Sequence, residues 1–128
     1  MNIEKQKTYY NKRWSHFNYL NKLQLQRLNA ILKAFENFGF KYPRRILDFG
    51  CGTGWLTSIL NNLGPATSID LSDKAIVTAK KKYPWIMFIC DALFKHPFKK
   101  ESFDIIVSQE VIEHVKDQKN ISNLWQLI

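Results

Sequence analysis

Residues 46–54 read Ile-Leu-Asp-Phe-Gly-Cys-Gly-Thr-Gly. A short apolar run that ends in Asp48 and passes into Gly50, Gly52 and Gly54 describes a strand that stops and turns into a helix. Glycines at alternate positions keep side chains away from whatever rests on that turn. The helix that follows directs its first N–H groups at the same spot. Asp70 closes a second apolar run about twenty residues later, and an acid at the end of the next strand can accept from both hydroxyls of a ribose. Together these residues describe a nucleoside site.

The spacing narrows the ligand. A dinucleotide turn prefers Gly-x-Gly-x-x-Gly and must hold a pyrophosphate. Here the order is Asp-x-Gly-x-Gly-x-Gly. A carboxylate at Asp48 repels a pyrophosphate and favours a ligand with an ammonium end as well as a ribose. Cys51, inside the turn, reads as a small residue that fits a tight bend rather than as a nucleophile.

The elements that must hold this turn alternate along the chain. Leu25, Leu28, Leu32 and Phe35 recur at helical spacing, so 20–38 reads as an amphipathic helix ended by Gly39. Strands are expected at 45–49, 66–69, 86–89 and 103–108. Leu56, Ile59, Leu60 and Leu63 mark a helix stopped by Gly64-Pro65. Ser72 is an N-cap, with Asp73 in the first turn, for a helix to Lys82, and Lys80–Lys82 complement its dipole. A last helix begins at Asp117. Strand–helix alternation with short links gives an α/β fold, a Rossmann-like parallel sheet with helices on both faces. The expected division is an N-terminal helical segment over 1–44 and a nucleoside-binding unit over 45–128.

The chain has 128 residues and a net charge of +8. Residues 1–45 hold ten Lys and Arg against two acids, while residues 46–128 hold nine of each, so the first third carries the whole excess. Such a segment suits an anionic partner or a solvated helix face. No stretch approaches the ~18 apolar residues needed to span a bilayer, and residues 1–7 carry no apolar signal region. Two cysteines, Cys51 and Cys90, point to a reduced compartment, and a cytoplasmic protein is expected.

Asp48-Phe49-Gly50-Cys51-Gly52-Thr53-Gly54, followed by Asp70, by Asp91-Ala92 and by Phe103-Asp104-Ile105-Ile106-Val107, resembles the class I S-adenosylmethionine-dependent methyltransferases over about residues 45–118. The resemblance implies S-adenosyl-L-methionine as cofactor and places its methionine part over Asp48 and the Gly50-Cys51-Gly52 backbone. It implies Asp70 on the ribose hydroxyls with Leu71 against the adenine face, Asp91 on the adenine amino group with Ala92 beside it, and Gln109 near the sulfonium. Gln26-Arg27-Leu28-Asn29 loosely resembles the His-Arg-Ile-Asn of the ubiquinone-pathway O-methyltransferases, with Gln26 where they have His, and by that likeness Arg27 binds the cofactor's carboxylate. The aromatic and basic stretch at 8–19, with Tyr9, Tyr10, Trp14 and Phe17, is similar to the segment that closes over the cofactor in that family.

Ser108-Gln109-Glu110-Val111-Ile112-Glu113-His114-Val115 follows the fourth strand. It lacks the Asp-Pro-Pro-Tyr of amino-methylating DNA enzymes and resembles the Glu-x-x-Glu-His-Val of small-molecule methyltransferases. Glu110, Glu113 and His114 share one face if the stretch is helical. Three readings stay open: a divalent metal held by the two carboxylates and the imidazole, His114 as a general base beside Glu110, or a structural cap. A similar Glu-x-x-Glu-His occurs in the small-RNA 2′-O-methyltransferases, where it binds metal with a further His; this sequence shows no later His, so no metal is assigned.

The resembled family has a seven-stranded sheet, and four strands are legible here. The fourth would keep an open edge suited to self-association. The leading expectation is methyl transfer to a small-molecule acceptor. The alternatives are a metal-assisted RNA methyltransferase, favoured by the basic first third, and a cofactor-binding fragment without activity of its own.

Overall fold

The computed structural model describes residues 2–14, 21–39, 44–92, 94–109 and 125–128. Its elements, in chain order, are α1 (Ile3–Trp14), α2 (Lys22–Asn37), β1 (Ile46–Phe49), α3 (Trp55–Leu60), β2 (Ala66–Asp70), α4 (Asp73–Lys82), β3 (Met87–Cys90), β4 (Ile105–Ser108) and a 3-10 turn at Trp125–Leu127. The four strands form one parallel sheet in the order β3-β2-β1-β4.

β1 lies between β2 and β4, and all four of its residues are buried. A strand covered on both faces reads as a continuous apolar run rather than an alternation, and Ile-Leu-Asp-Phe has that form apart from its acid. Ile46 packs with Leu56 and Leu60 of α3, with Ala66 and Val107, and with Leu28, Ile31 and Phe35 of α2. Leu47 and Phe49 point the other way, into Ile69 and Phe103, flanked by Phe94, Phe98, Ile106 and Leu127. A third cluster seats α4: Ile76 and Ala79 meet Cys51, Ile86 and Phe88. Fully burying each such Ile, Leu or Phe contributes roughly 1.5–3 kcal/mol.

α2 differs from its sequence reading in which side chains face the core. Leu25 is exposed, while Leu28, Ile31 and Phe35 make the contact. Asn21 and Gln24 close a reciprocal capping box at its start, each side chain bonding the other's backbone N–H at 2.9 Å. α3 ends at Leu60, three residues before the expected stop, and Leu63 is exposed in the turn that follows. α4 matches its reading: Ser72 Oγ accepts from Ala75 N at 3.2 Å, and Lys80–Lys82 fill the last turn.

β4 starts at Ile105 rather than Phe103, because Phe103 N donates to Leu127 O while Asp104 N and Ile105 N both donate to Arg45 O. The lower ends of β1 and β4 are further tied by Arg45, whose Nε and Nη2 bond Asp104 Oδ2 and Oδ1, each at 3.1 Å. Gly64 is fixed by a close approach, since a Cβ there would collide with the Arg44 carbonyl. Of the helix expected from Asp117, residues 117–124 lie outside the described residues, and what is described ends in the 3-10 turn.

Candidate functional site

The glycine turn sits at the carboxyl edge of the sheet, where β1 gives way to α3. Gly50, Gly52 and Gly54 have φ of 87°, 57° and 83°, all in the left-handed region that side chains avoid. At Gly54 a Cβ would also lie 2.6 Å from the Phe88 ring. Four N–H groups of the turn have partners within the protein. Gly50 N and Cys51 N donate to Ile69 O at 2.8 and 3.1 Å, Gly52 N donates to Asp70 Oδ2 at 2.8 Å, and Gly54 N donates to Cys51 O at 3.1 Å. These four donors are taken up within the protein and are not offered to a phosphate. That is the reverse of what a phosphate needs.

Asp70, at the end of β2, is only 7% exposed. Its Oδ2 takes Gly52 N and its Oδ1 takes Ser72 N, both at 2.8 Å. Burial raises its pKa above the ordinary value, and the backbone donors oppose that rise. The carboxylate thus ties the β1 turn to the start of α4 while keeping further acceptor capacity. Asp48 lies a layer deeper, 2% exposed, and accepts from Thr57 Oγ1 at 2.6 Å. Burial pushes its pKa up to about 7, against the Thr57 bond and with help from Asp70. Cys51 is buried in the cluster under α4, and burial first, then Asp48 and Asp70, push its thiol well up. A thiol so held is inert, in keeping with its reading as a turn residue.

The β3 loop meets the β2 loop directly, for Asp91 N donates to Asp70 O at 3.1 Å. Both Asp91 oxygens have partners: Oδ1 accepts from Ala92 N at 2.7 Å, and Oδ2 lies 2.8 Å from His96 Nδ1. The His96 bond, more than any other contact, holds the Asp91 carboxyl below its ordinary value. Leu71 stands half-buried between Asp70 and Ser72.

β4 ends beside β1, with Ser108 opposite Phe49. Ser108 Oγ and Gln109 Nε2 are buried without a hydrogen-bond partner among the described residues. A buried polar atom with no partner is uncommon and asks for an explanation, of which a missing ligand is one. Arg27 is half-buried on α2. α1 docks on the start of α4: Asn11 Nδ2 donates to Asp73 Oδ1 at 2.7 Å, and Ser72 Oγ donates to Asn11 Oδ1. Tyr9 lies exposed on α1. Phe17, Glu110, Glu113 and His114 lie outside the described residues, as do the side chains of Tyr10 and Trp14.

The structure therefore brings Asp48, Gly50–Gly52, Asp70, Leu71, Asp91, Ala92 and Gln109 to one edge of the sheet. Three participants escape a reading of the sequence. Thr57 is marked only by its place in the first turn of the helix that covers Asp48. Asn11 acts through a contact with residues sixty positions away. His96 has the one local signal, five residues after Asp91 and just before Pro97.

Comparison with known proteins follows this geometry. A family model described as a methyltransferase domain matches residues 47–125. The malonyl-[acyl-carrier protein] O-methyltransferase of Bacillus anthracis is 34% identical over 82 residues, which cover 60% of this chain and 30% of that one. The ubiquinone biosynthesis O-methyltransferase of Bradyrhizobium diazoefficiens is 37% identical over 78 residues, 57% of this chain and 30% of that one. An S-adenosylmethionine-dependent methyltransferase structure from Mesorhizobium loti superposes with a TM-score of 0.66 at 26% identity, covering 79% of this chain and 50% of that one. The matched stretch spans 30% of the length of each of the two curated relatives.

Proposed function

The chain belongs to the methyltransferase domain family, and from that premise we propose that it binds S-adenosyl-L-methionine at the Gly50–Gly54 turn and serves methyl transfer to an oxygen of a small-molecule acceptor. The observation that carries the reading is that the N–H groups of Gly50, Cys51, Gly52 and Gly54 are bonded within the protein. With those donors taken up and the carboxyl groups of Asp48 and Asp70 close by, the turn suits a nucleoside with a cationic amino-acid end better than a pyrophosphate. Two relatives named as O-methyltransferases support oxygen as the accepting atom.

The residues present fit this cofactor. Gly50 to Gly52 bear no Cβ where the amino-acid chain would pass, except at the buried Cys51. Asp70 keeps lone pairs for the ribose hydroxyls, and its orientation is already fixed by two backbone donors. Asp91 is the acceptor for the adenine amino group, with Leu71 and Ala92 beside the ring. Asp48, bonded by Thr57 beneath the turn, offers the ammonium a negative charge once its proton is lost. Gln109 offers its unpaired Nε2, and by the likeness to the ubiquinone-pathway enzymes Arg27 is the candidate cation for the cofactor's carboxylate. When bound, the cofactor supplies a methyl group on a sulfonium, which moves by in-line displacement. The protein's part is to align the two reactants, an effect of several kcal/mol that needs little proton transfer. His114 and Glu110 are the candidates to hold the acceptor's proton.

The test is a calorimetric titration of the chain with S-adenosyl-L-methionine, S-adenosylhomocysteine and NAD. Binding of the first two and not of the third is expected. Binding of NAD alone, or of none of them, removes the reading.

A further inference from the structure

His96 stands outside the family reading, and its surroundings form a chain of contacts from the core to the cofactor edge. Phe103 is buried in the core, and Phe98 meets it edge-on with ring centroids 5.3 Å apart. The His96 ring lies 4.5 Å from that of Phe98. Lys95 N and His96 N both donate to Ala92 O, at 3.0 and 3.2 Å, which ties the backbone of both residues to Ala92. These contacts fix the imidazole before any ligand arrives. Its Nδ1 then meets Asp91 Oδ2 at 2.8 Å.

We propose that His96 is the positioning residue for Asp91, setting the direction of that carboxylate so that the site selects a purine bearing an exocyclic amino group. The inference rests on the proposed contact between Asp91 and the nucleoside base.

A lone aspartate on a loop, with 43% of its side chain exposed, rotates freely and presents an averaged acceptor. Here Ala92 N holds Oδ1 and His96 Nδ1–H holds Oδ2. Each oxygen keeps one outward acceptor direction. Nδ1 carries a hydrogen both in the neutral tautomer that donates to Asp91 and in the imidazolium, so the bond does not require a charged ring. The pairing also keeps Asp91 ionised, which makes it an acceptor only. An acceptor-only group rewards an amino group on the base and rejects a carbonyl oxygen in the same place. A His that merely closed the loop would make the Phe98 contact without changing which base is preferred.

The experiment measures the affinity of the full chain for S-adenosylhomocysteine and for its hypoxanthine counterpart, S-inosylhomocysteine. The second replaces the amino donor by a carbonyl. The unsubstituted protein should prefer adenine by about tenfold, the lower end for a charge-assisted bond at a partly exposed group. In His96→Ala the preference should fall to about twofold, with little change for the hypoxanthine ligand. His96→Asn keeps a donor near the Nδ1 position and should retain most of the preference. Circular dichroism confirms that both variants fold. Equal weakening of both ligands in His96→Ala, or an unchanged preference, overturns the role of His96 and leaves the base contact standing. Loss of the preference in His96→Asn as complete as in His96→Ala also overturns it. Absence of any preference in the unsubstituted protein overturns the Asp91 contact itself, and with it this inference. Absence of binding removes the cofactor reading before either.

Discussion

Asp48 makes the protein's stability depend on pH in a direction opposite to that of most carboxylates. In the fold it is 2% exposed, and burial raises it from 3.8 to about 7. Across that interval the folded state holds a proton that the unfolded chain has released. Stability therefore falls as pH rises from about 4 and levels off above about 7. At about 1.4 kcal/mol for each tenfold change in proton affinity, the ceiling on this effect is ~4 kcal/mol. Asn has nearly the same shape, stays neutral, and can still accept from Thr57 Oγ1, which bonds Asp48 at 2.6 Å. The Asp48→Asn variant should match the parent near pH 4 and exceed it progressively towards pH 8, by up to ~4 kcal/mol. Urea unfolding followed by circular dichroism at several pH values measures this directly. Taking the difference between the two proteins cancels the titrating groups that do not feel Asp48. Asp70 and Cys51 are the ionisable neighbours, and both remain in each protein. Parallel pH profiles would refute the reasoning, because they would mean that Asp48 does not change its proton affinity on folding.

Other consequences are open to the same kind of measurement. Asp70→Ala removes the acceptor of Gly52 N and Ser72 N, so it should cost roughly 2–4 kcal/mol in urea unfolding as well as weakening S-adenosylhomocysteine binding in calorimetry. Gly54→Ala must place a Cβ 2.6 Å from Phe88 at a φ of 83°, and a loss of roughly 2–4 kcal/mol is expected, partly recovered by Phe88→Leu in the same chain. The Arg45–Asp104 pair holds Asp104 down at about 2, so its contribution is present above the ordinary carboxylate range and disappears as pH falls through 2. The stability gap between the parent and Arg45→Met should close over that window. Asn11→Ala removes its bonds to Ser72 and Asp73 at the start of α4, and hydrogen exchange should quicken in α1 with the β1 amides unchanged.

The elements with strong local codes were legible. The Ser72 cap, the acid at Asp73 and the three lysines from Lys80 mark α4 at both ends, and the helix has those bounds. β1 appears as an apolar run because it lies inside a parallel sheet, covered on both faces. Boundaries set by long-range bonds were not legible. β4 begins two residues late because Arg45 O takes the N–H groups of Asp104 and Ile105. Leu25 has the right spacing for the α2 stripe and yet faces solvent, since the rotation of a helix is fixed by what it packs on.

The same division runs through the site. The amino-acid sequence by itself determined which chemistry the chain offers: three glycines where φ must be positive, acids at the ends of two strands, and the spacing that joins them. Those are properties of single residues and of local order, and they suffice for the fold and the family. Only the tertiary structure decided how the groups act. It turned the N–H groups of Gly50, Cys51 and Gly52 onto Ile69 O and Asp70, so that those donors are spent within the protein. It buried Asp48 beneath Thr57 and bound Asp91 to His96. A carboxylate's charge, direction and proton affinity depend on its burial and its partners, and those partners come from other parts of the chain.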